Sequence, residues 1–174
     1  MHAIISAVTY QADNPPSEAS AGQFAALITR QPGYRGRFGL DAGGGARVHI
    51  YLFDSAEAAR SGLGGDAMRR LADEHIRPHY AGPSERIAAG TARHADLARV
   101  LTGMHVRLAL LPADREPTLA RTPGYLGHVT VESGDGQPIV AAILDATEAN
   151  AEQEAVRTWL GSVTVSDWRA GDGE

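Results

Sequence analysis

The chain states much of itself twice. Arg30-Gln31-Pro32-Gly33-Tyr34-Arg35-Gly36 returns as Arg121-Thr122-Pro123-Gly124-Tyr125-Leu126-Gly127, 91 positions later. The same offset carries Leu52-Phe53-Asp54 onto Ile143-Leu144-Asp145, and Glu57 onto Glu148. One displacement that aligns a turn, a strand end and a helix start constrains the fold more than any single motif does. Whatever unit the first copy forms, the second must form a version of it, and one chain can then make the assembly that two separate copies would make.

Local patterns give the unit. Ala3 to Tyr10 alternates apolar with small or polar residues, as a strand does. Asp13-Asn14-Pro15-Pro16-Ser17 is a turn, and Ser17 or Ser20 is placed to cap a helix whose apolar stripe is Phe24, Leu27 and Ile28. Pro32-Gly33 stops that helix. A strand over Tyr34 to Leu40, a Gly43-Gly44-Gly45 turn and a strand over Arg47 to Phe53 make a hairpin. Ser55 caps a second helical region that reaches about His75 and is broken around Gly62, Gly64 and Gly65; Pro83 precedes a strand over Arg86 to Thr91. The order β-α-β-β-α-β is the ferredoxin-like pattern.

The second copy follows the same order. Met104 to Leu111 is a strand, with Met104-His105-Val106 echoing Met1-His2-Ala3 at an offset of 103, and Tyr125 to Glu132 pairs with Ile139 to Leu144. The two offsets differ by 12 residues, all lost before Pro123, so the first helix of this copy is short or absent. Thr147 opens a helix to Leu160, and Ser162 to Trp168 closes the sheet; Trp159 and Trp168 pack its end. The expected organisation is a first repeat over 1–92, a linker over 93–103, a reduced second repeat over 104–169 and a disordered tail over 170–174. The fold class is α+β, two repeats forming an intramolecular pseudo-dimeric α/β barrel.

Composition narrows the chemistry. All 16 basic residues are arginine, which removes lysine Schiff bases and a P-loop lysine. With a net charge of −5 and no basic run, nucleic acid is not expected as a partner. The absence of cysteine removes thiolate nucleophiles, cysteine-ligated zinc, iron–sulfur clusters and disulfides. No signal peptide or membrane-spanning stretch is recognisable, so the expected location is the cytoplasm with no membrane partner.

Pro32-Gly33-Tyr34-x-Gly36 followed by Val48-His49-Ile50-Tyr51-Leu52-Phe53-Asp54-Ser55-x-Glu57-Ala58 resembles the dimeric α/β-barrel proteins, and within them the antibiotic-biosynthesis-monooxygenase-like domains. In that family a Pro-Gly precedes the second strand, and the third ends in aromatic–acid–Ser. Members commonly pack two ferredoxin-like sheets face to face around a cavity. They include oxygenases, haem-degrading proteins, haem enzymes and proteins without known catalysis. The resemblance covers residues 1 to 92 and, more loosely, 104 to 168. The chain departs from the oxygenases at the third-strand aromatic, often tryptophan there and Phe53 here. Leu144 and Val140 replace Phe53 and His49 in the second copy, which places a single site on the first repeat.

Strand alternation groups the candidate residues. His49, Tyr51 and Phe53 share one face of their strand; Val48, Ile50 and Leu52 share the other. The second set suits packing under helices, as do Ala3, Ile5 and Ala7 with Val106, Leu108 and Leu110, so the first set is expected to look into the barrel. His2, Ser6, His105 and Arg107 join it, with Arg37 and His128 related by the 91-residue offset. The implied activity is a cofactor-independent monooxygenase acting on an aromatic or polyketide-like phenol in the barrel cavity. His49 would be base, Tyr51 and Arg107 catalytic polar contacts, and His2, Ser6, Arg37, Phe53, His105 and His128 substrate-binding residues. The alternatives are a non-catalytic barrel that binds a small apolar ligand or answers stress, and a haem-binding barrel. No cofactor and no metal are expected. His75 and His79 stand at i, i+4, but Pro78 spoils the helix, and Gly43-Gly44-Gly45 lacks the spacing of a nucleotide loop. The chain is expected to be a monomeric pseudo-dimer or a homodimer.

Overall fold

The computed structural model describes residues 1–134, 136–147 and 155–166. Their strands are β1 (His2–Thr9), β2 (Tyr34–Asp41), β3 (Ala46–Phe53), β4 (Glu85–Asp96), β5 (His105–Pro112), β6 (Tyr125–Glu132), β7 (Ile139–Asp145) and β8 (Arg157–Ser166). The helices are α1 (Glu18–Thr29), α2 (Ala56–Gly64), α3 (Asp66–His75) and the four-residue α4 (Glu116–Leu119). Every strand pairs antiparallel with two neighbours, and the sheet closes as β1-β3-β2-β8-β5-β7-β6-β4. Closure pairs every strand edge.

The ring contains two quartets with the same internal order, β4-β1-β3-β2 and β8-β5-β7-β6, joined at the β2–β8 and β4–β6 seams. The repeated sequence landmarks have repeated geometry. Gly33 and Gly124 both have φ 72, and each is followed by a strand that slips one residue against its partner, at Tyr34/Gly36 and at Tyr125/Gly127. Asp54 N–H donates to the Gly33 carbonyl and Asp145 N–H to the Gly124 carbonyl, both at 2.7 Å. The seams also correspond. A Cβ on Gly90 of β4 would stand 1.9 Å from the Glu132 carbonyl oxygen, and one on Gly161 of β8 would stand 1.8 Å from that of Asp41. Asp41 and Glu132 are themselves 91 residues apart. Each seam brings two backbones so close that only glycine fits.

The interior of the barrel is filled. Ala3, Ile5, Phe38, Leu40, Val48, Ile50 and Leu52 from one quartet meet Val106, Leu108, Val129, Val131, Ala141 and Ile143 from the other in one apolar cluster. Removing a Leu or Ile of this kind from water contributes about 1.5–3 kcal/mol each. This reverses the expected facing. Val48, Ile50 and Leu52 point into the barrel, and His49, Tyr51 and Phe53 point outward beneath the helices. Eight strands enclose a space just wide enough for side chains to fill, so the branched apolar set takes it and the barrel has no room for a substrate.

Three helices cover the first quartet. Ser17 caps α1 by accepting from Ser20 N–H at 3.1 Å, and Ser55 caps α2 from Ala58 N–H at 3.1 Å. The break at Gly64 and Gly65 separates α2 from α3 as the glycines suggest. Ile28, Met68 and Ala59 bury themselves against Ile4, Tyr51 and Phe53. Over the second quartet, α4 stands between β5 and β6 in chain order as α1 stands between β1 and β2, and its Leu119 packs on Ala109, Leu111, Val140 and Ala142.

Two expected elements differ. The helix from Thr147 to Leu160 does not run as expected: Arg157 to Leu160 belong to β8, where Trp159 stands opposite Leu108 of β5. Alternation of half-buried and exposed side chains beside an open sheet position outweighs the breaker-free run on which the helix was read. Positions 148–154 and Trp168 lie outside the described residues. The strand read as Arg86 to Thr91 extends from Glu85 to Asp96, into the segment read as linker, because its C-terminal half pairs with β6.

The seam geometry gives a stability test. Gly161→Ala should destabilise the fold by about 2–4 kcal/mol, since the clash is with backbone that cannot rotate away. Gly22→Ala, in α1 with nothing within 4 Å of the added Cβ, should stabilise by about 0.5–1 kcal/mol through helix propensity. Urea denaturation of both variants measures the contrast.

Candidate functional site: a polar cavity between sheet and helices

The outward face of the first quartet carries the polar side chains that the barrel interior excludes. Along β3 this face presents Arg47, His49, Tyr51 and Phe53, and along β1 it presents Ile4, Ser6 and Val8, with Tyr10 just beyond. Strand pairing sets Ser6 opposite His49 and Ile4 opposite Tyr51. On the other side of β3, Arg37 lies opposite Tyr51 and Gly39 opposite His49. Gly39 has no side chain at that point, and a Cβ there would press on His49 Nδ1 at 3.4 Å. The gap lets Arg37 lean across to the imidazole.

Above this face, the helices leave a cavity of about 410 Å³. Its floor is Ser6, Arg37, Arg47, His49 and Tyr51; its roof and rim include Phe24 of α1, Leu63 of α2, Ile76, Tyr80 and Arg86. Tyr10 and Tyr80 meet edge to face at 5.5 Å and join through a lone β-bridge. Arg47 stands over the Tyr10 ring at 5.5 Å and Arg37 over the Tyr51 ring at 5.8 Å.

The electrostatics follow from this packing. Arg37 Nη2 lies 3.0 Å from His49 Nδ1. A guanidinium only donates, so Nδ1 accepts and the neutral imidazole carries its proton on Nε2. Burial, then the charges of Arg37 and Arg47, hold the His49 pKa well below the usual histidine value. Burial raises the Tyr51 hydroxyl, opposed by the charge and hydrogen bond of Arg37, and pushes Tyr10 up to about 12. These phenols stay protonated and serve as donors.

Positive charge dominates the cavity. Arg47 is partly balanced by Asp41 at 3.1 Å, and Glu85 is engaged by Arg157 at 2.6 Å. Arg37 has no carboxylate partner among the described residues, and the Nε–H groups of both Arg37 and Arg47 are buried without a hydrogen-bond acceptor among them. Leaving such donors unpaired is costly. An anionic or strongly accepting oxygen placed among them would supply the missing acceptor.

Of the residues expected at the site, Ser6, Arg37, His49 and Tyr51 line the cavity. The others do not reach it. Phe53 is buried beneath α2 against Tyr34 and Ile4, and His2 lies beside it at the strand's start. Arg107, His105 and His128 are on the second quartet: Arg107 is buried between Leu144 and Leu160, His105 is exposed, and His128 contacts Tyr125 and Glu116. Arg107 was grouped with His49 by strand face alone, and the fold separates their strands. Arg47, Tyr10, Tyr80 and Phe24 are cavity residues that the sequence reading passed over. Arg47 and Tyr10 were findable, because each continues the alternation of a residue already chosen. Tyr80 has no such signal and arrives only through the tertiary bridge to Tyr10.

The low His49 pKa has a defined consequence for stability. Below the unfolded value of about 6.5 the unfolded chain binds a proton that the folded chain refuses. The His49 contribution is therefore constant above that value and is lost as pH falls toward the folded pKa. We expect wild-type stability to drop over this acid range, with a shallower drop in His49→Gln. Long-range proton–nitrogen NMR at neutral pH should find His49 as the Nε2–H tautomer, and Arg37→Gln should move its titration upward.

No protein-family model matches the chain, and no curated protein matches it. Solved structures do. A "putative monooxygenase" from Fusobacterium nucleatum subsp. nucleatum superposes with TM-score 0.59 over 94% of this chain and 91% of its own, at 9% identity. An anthrone oxidase-like protein superposes with TM-score 0.53 over 95% and 91%, at 10% identity. A "putative monooxygenase" from Lactobacillus acidophilus NCFM gives TM-score 0.51 over 95% and 94%, at 10% identity. Each match spans both quartets. The chain shares the fold of these three proteins.

Proposed function

We propose that the protein is a cofactor-independent monooxygenase that oxidises an aromatic or polyketide-like phenol held between the sheet and the helices. The observation that carries this reading is Arg37, a buried guanidinium with no carboxylate partner among the described residues, set against His49 and Tyr51 in an aromatic cavity. Such a site lowers the pKa of a bound phenol or enol, because the anion gains partners that the neutral form lacks. The names of the structural neighbours agree with the reaction class. In this reading the quartets are two fused ferredoxin-like repeats forming a pseudo-dimer, with the site kept on the first.

Arg37 and Arg47 hold the substrate oxyanion, and Nε2–H of His49 donates to the same oxygen. This alters the role read for His49 from sequence. With Nδ1 engaged by Arg37 and Nε2 already protonated, the imidazole is a hydrogen-bond donor rather than a base, and the phenol or enol proton leaves to water. The ring carbon of the anion then adds dioxygen to give a peroxide. The peroxide takes up one proton, the carbon loses its remaining hydrogen as a second proton, and the O–O bond breaks. One oxygen stays as a carbonyl and the other leaves as water. Tyr51 and Tyr10 donate hydrogen bonds, while Phe24, Leu63 and Ile76 supply the apolar wall.

Oxygen uptake with a panel of reduced polycyclic phenols tests the proposal. We expect turnover that falls about 10²–10³-fold in Arg37→Gln, falls in His49→Gln, and is unchanged in His105→Ala, whose side chain is exposed and away from the cavity. Saturable binding of the same compounds without oxygen consumption would instead favour a ligand-binding barrel.

A further inference from the structure

A second cluster of chemically capable side chains lies at the β4–β6 seam between the quartets, and none of its residues lines the cavity. His94 of β4, His128 of β6 and Glu116 of α4 place one ligand atom each within 4.8 Å of the others. We propose that these three residues form a binding site for a divalent first-row transition-metal ion of the zinc type. The expectation of a metal-free chain is thereby revised on geometry alone.

The way His94 reaches the cluster is the first argument. Ala88 and Ala92 of β4 both point into the barrel, so unbroken alternation would send His94 inward as well. The pairing of β4 with β6 shifts between Ala92 and His94, with Ala92 opposite Val131 and His94 opposite Thr130. Arg93 is the extra residue. This bulge reverses the faces, returning Ala95 to the core and turning His94 outward beside His128. Bulges that re-aim one side chain recur next to functional sites.

The spacing is the second argument. His128 Nε2 lies 3.4 Å from Glu116 Oε1, long for a charge-assisted hydrogen bond. Two ligands at about 2.0–2.1 Å from a tetrahedral zinc stand about 3.3–3.4 Å apart. The outer contacts leave the ligating atoms available. The Tyr125 hydroxyl engages His128 Nδ1 at 2.6 Å, which leaves Nε2 for the ion. Arg93 stands 3.7 Å from the other carboxylate oxygen, Glu116 Oε2. A ligating histidine whose second nitrogen is held in this way is the usual arrangement in metal sites.

The third argument is Thr130. Its hydroxyl is fully buried, has no hydrogen-bond partner among the described residues, and lies on the face of β6 that carries His128, opposite His94. It is a buried polar group without a described partner at the register position of His94. Two histidines, one carboxylate and an open position form a recurrent set for zinc and for non-haem iron.

Calorimetric titration of the chelator-treated full chain with Zn²⁺, and visible absorption after Co²⁺ addition, provide the test. We expect one ion per chain and a Co²⁺ spectrum of low coordination number. His94→Gln, which changes an exposed side chain, and the near-isosteric Glu116→Gln should each weaken binding by at least about tenfold, and Tyr125→Phe by about 10–100-fold. Far-UV circular dichroism checks that each variant is folded, and the double variant His75→Gln/His79→Gln should bind as the wild type does. Absence of saturable Zn²⁺ uptake, uptake that survives both His94→Gln and Glu116→Gln, or uptake lost in the His75/His79 variant would overturn the proposal.

Discussion

Closing eight strands into one ring fixes how much room the ring contains, and that volume governs the rest of the molecule. The interior accommodates one packed layer of branched apolar side chains and little else. Ile50 and Leu52 on one quartet and Leu108 and Ile143 on the other fill it. The polar side chains Arg37, His49 and Tyr51 therefore lie on the outside of the ring. Over the first quartet the cover is three helices standing off far enough to leave a cavity. Over the second, the described cover includes the short α4 with Ala113 and Ala155, packed against Ala109 and Val140.

Inside the cavity one contact sets the chemistry. The guanidinium of Arg37 removes the Nδ1 lone pair of His49 from use and keeps the ring neutral. It also leans over Tyr51. A histidine and a tyrosine that would each admit several roles join the arginine as donors. In the proposed reaction the site therefore receives negative charge rather than generating it on the protein, and the substrate brings the ionisable oxygen.

Much of the fold was legible because the repeat and the alternation are local signals. The Pro32-Gly33 turn and its recurrence at Pro123-Gly124, the caps Ser17 and Ser55, and the residue sets sharing each face of β3 could all be read from spacing. Which face looks inward could not. Alternation divides a strand into two faces without saying which is the interior, and that depends on how many strands close the ring. The same gap put Arg107 beside His49 on paper, although their strands belong to different quartets. It also kept His94 out of view, since one bulge residue reverses a face with no mark in the pattern. At Arg157 to Leu160, a short stretch without breakers supports helix and strand equally, and pairing with β5 decides.

A chamber between two layers, rather than inside the ring, also separates the timing of exchange from the integrity of the scaffold. Ladder hydrogen bonds hold the barrel, while α1 and α3 lie over it chiefly through side-chain packing. These helices contribute no strand to the ring, whose ladder is complete without them. In the proposed reaction, exchange of a bound molecule would depend on the roof, and the lifetime of the folded chain on the floor. Selection can adjust one without disturbing the other.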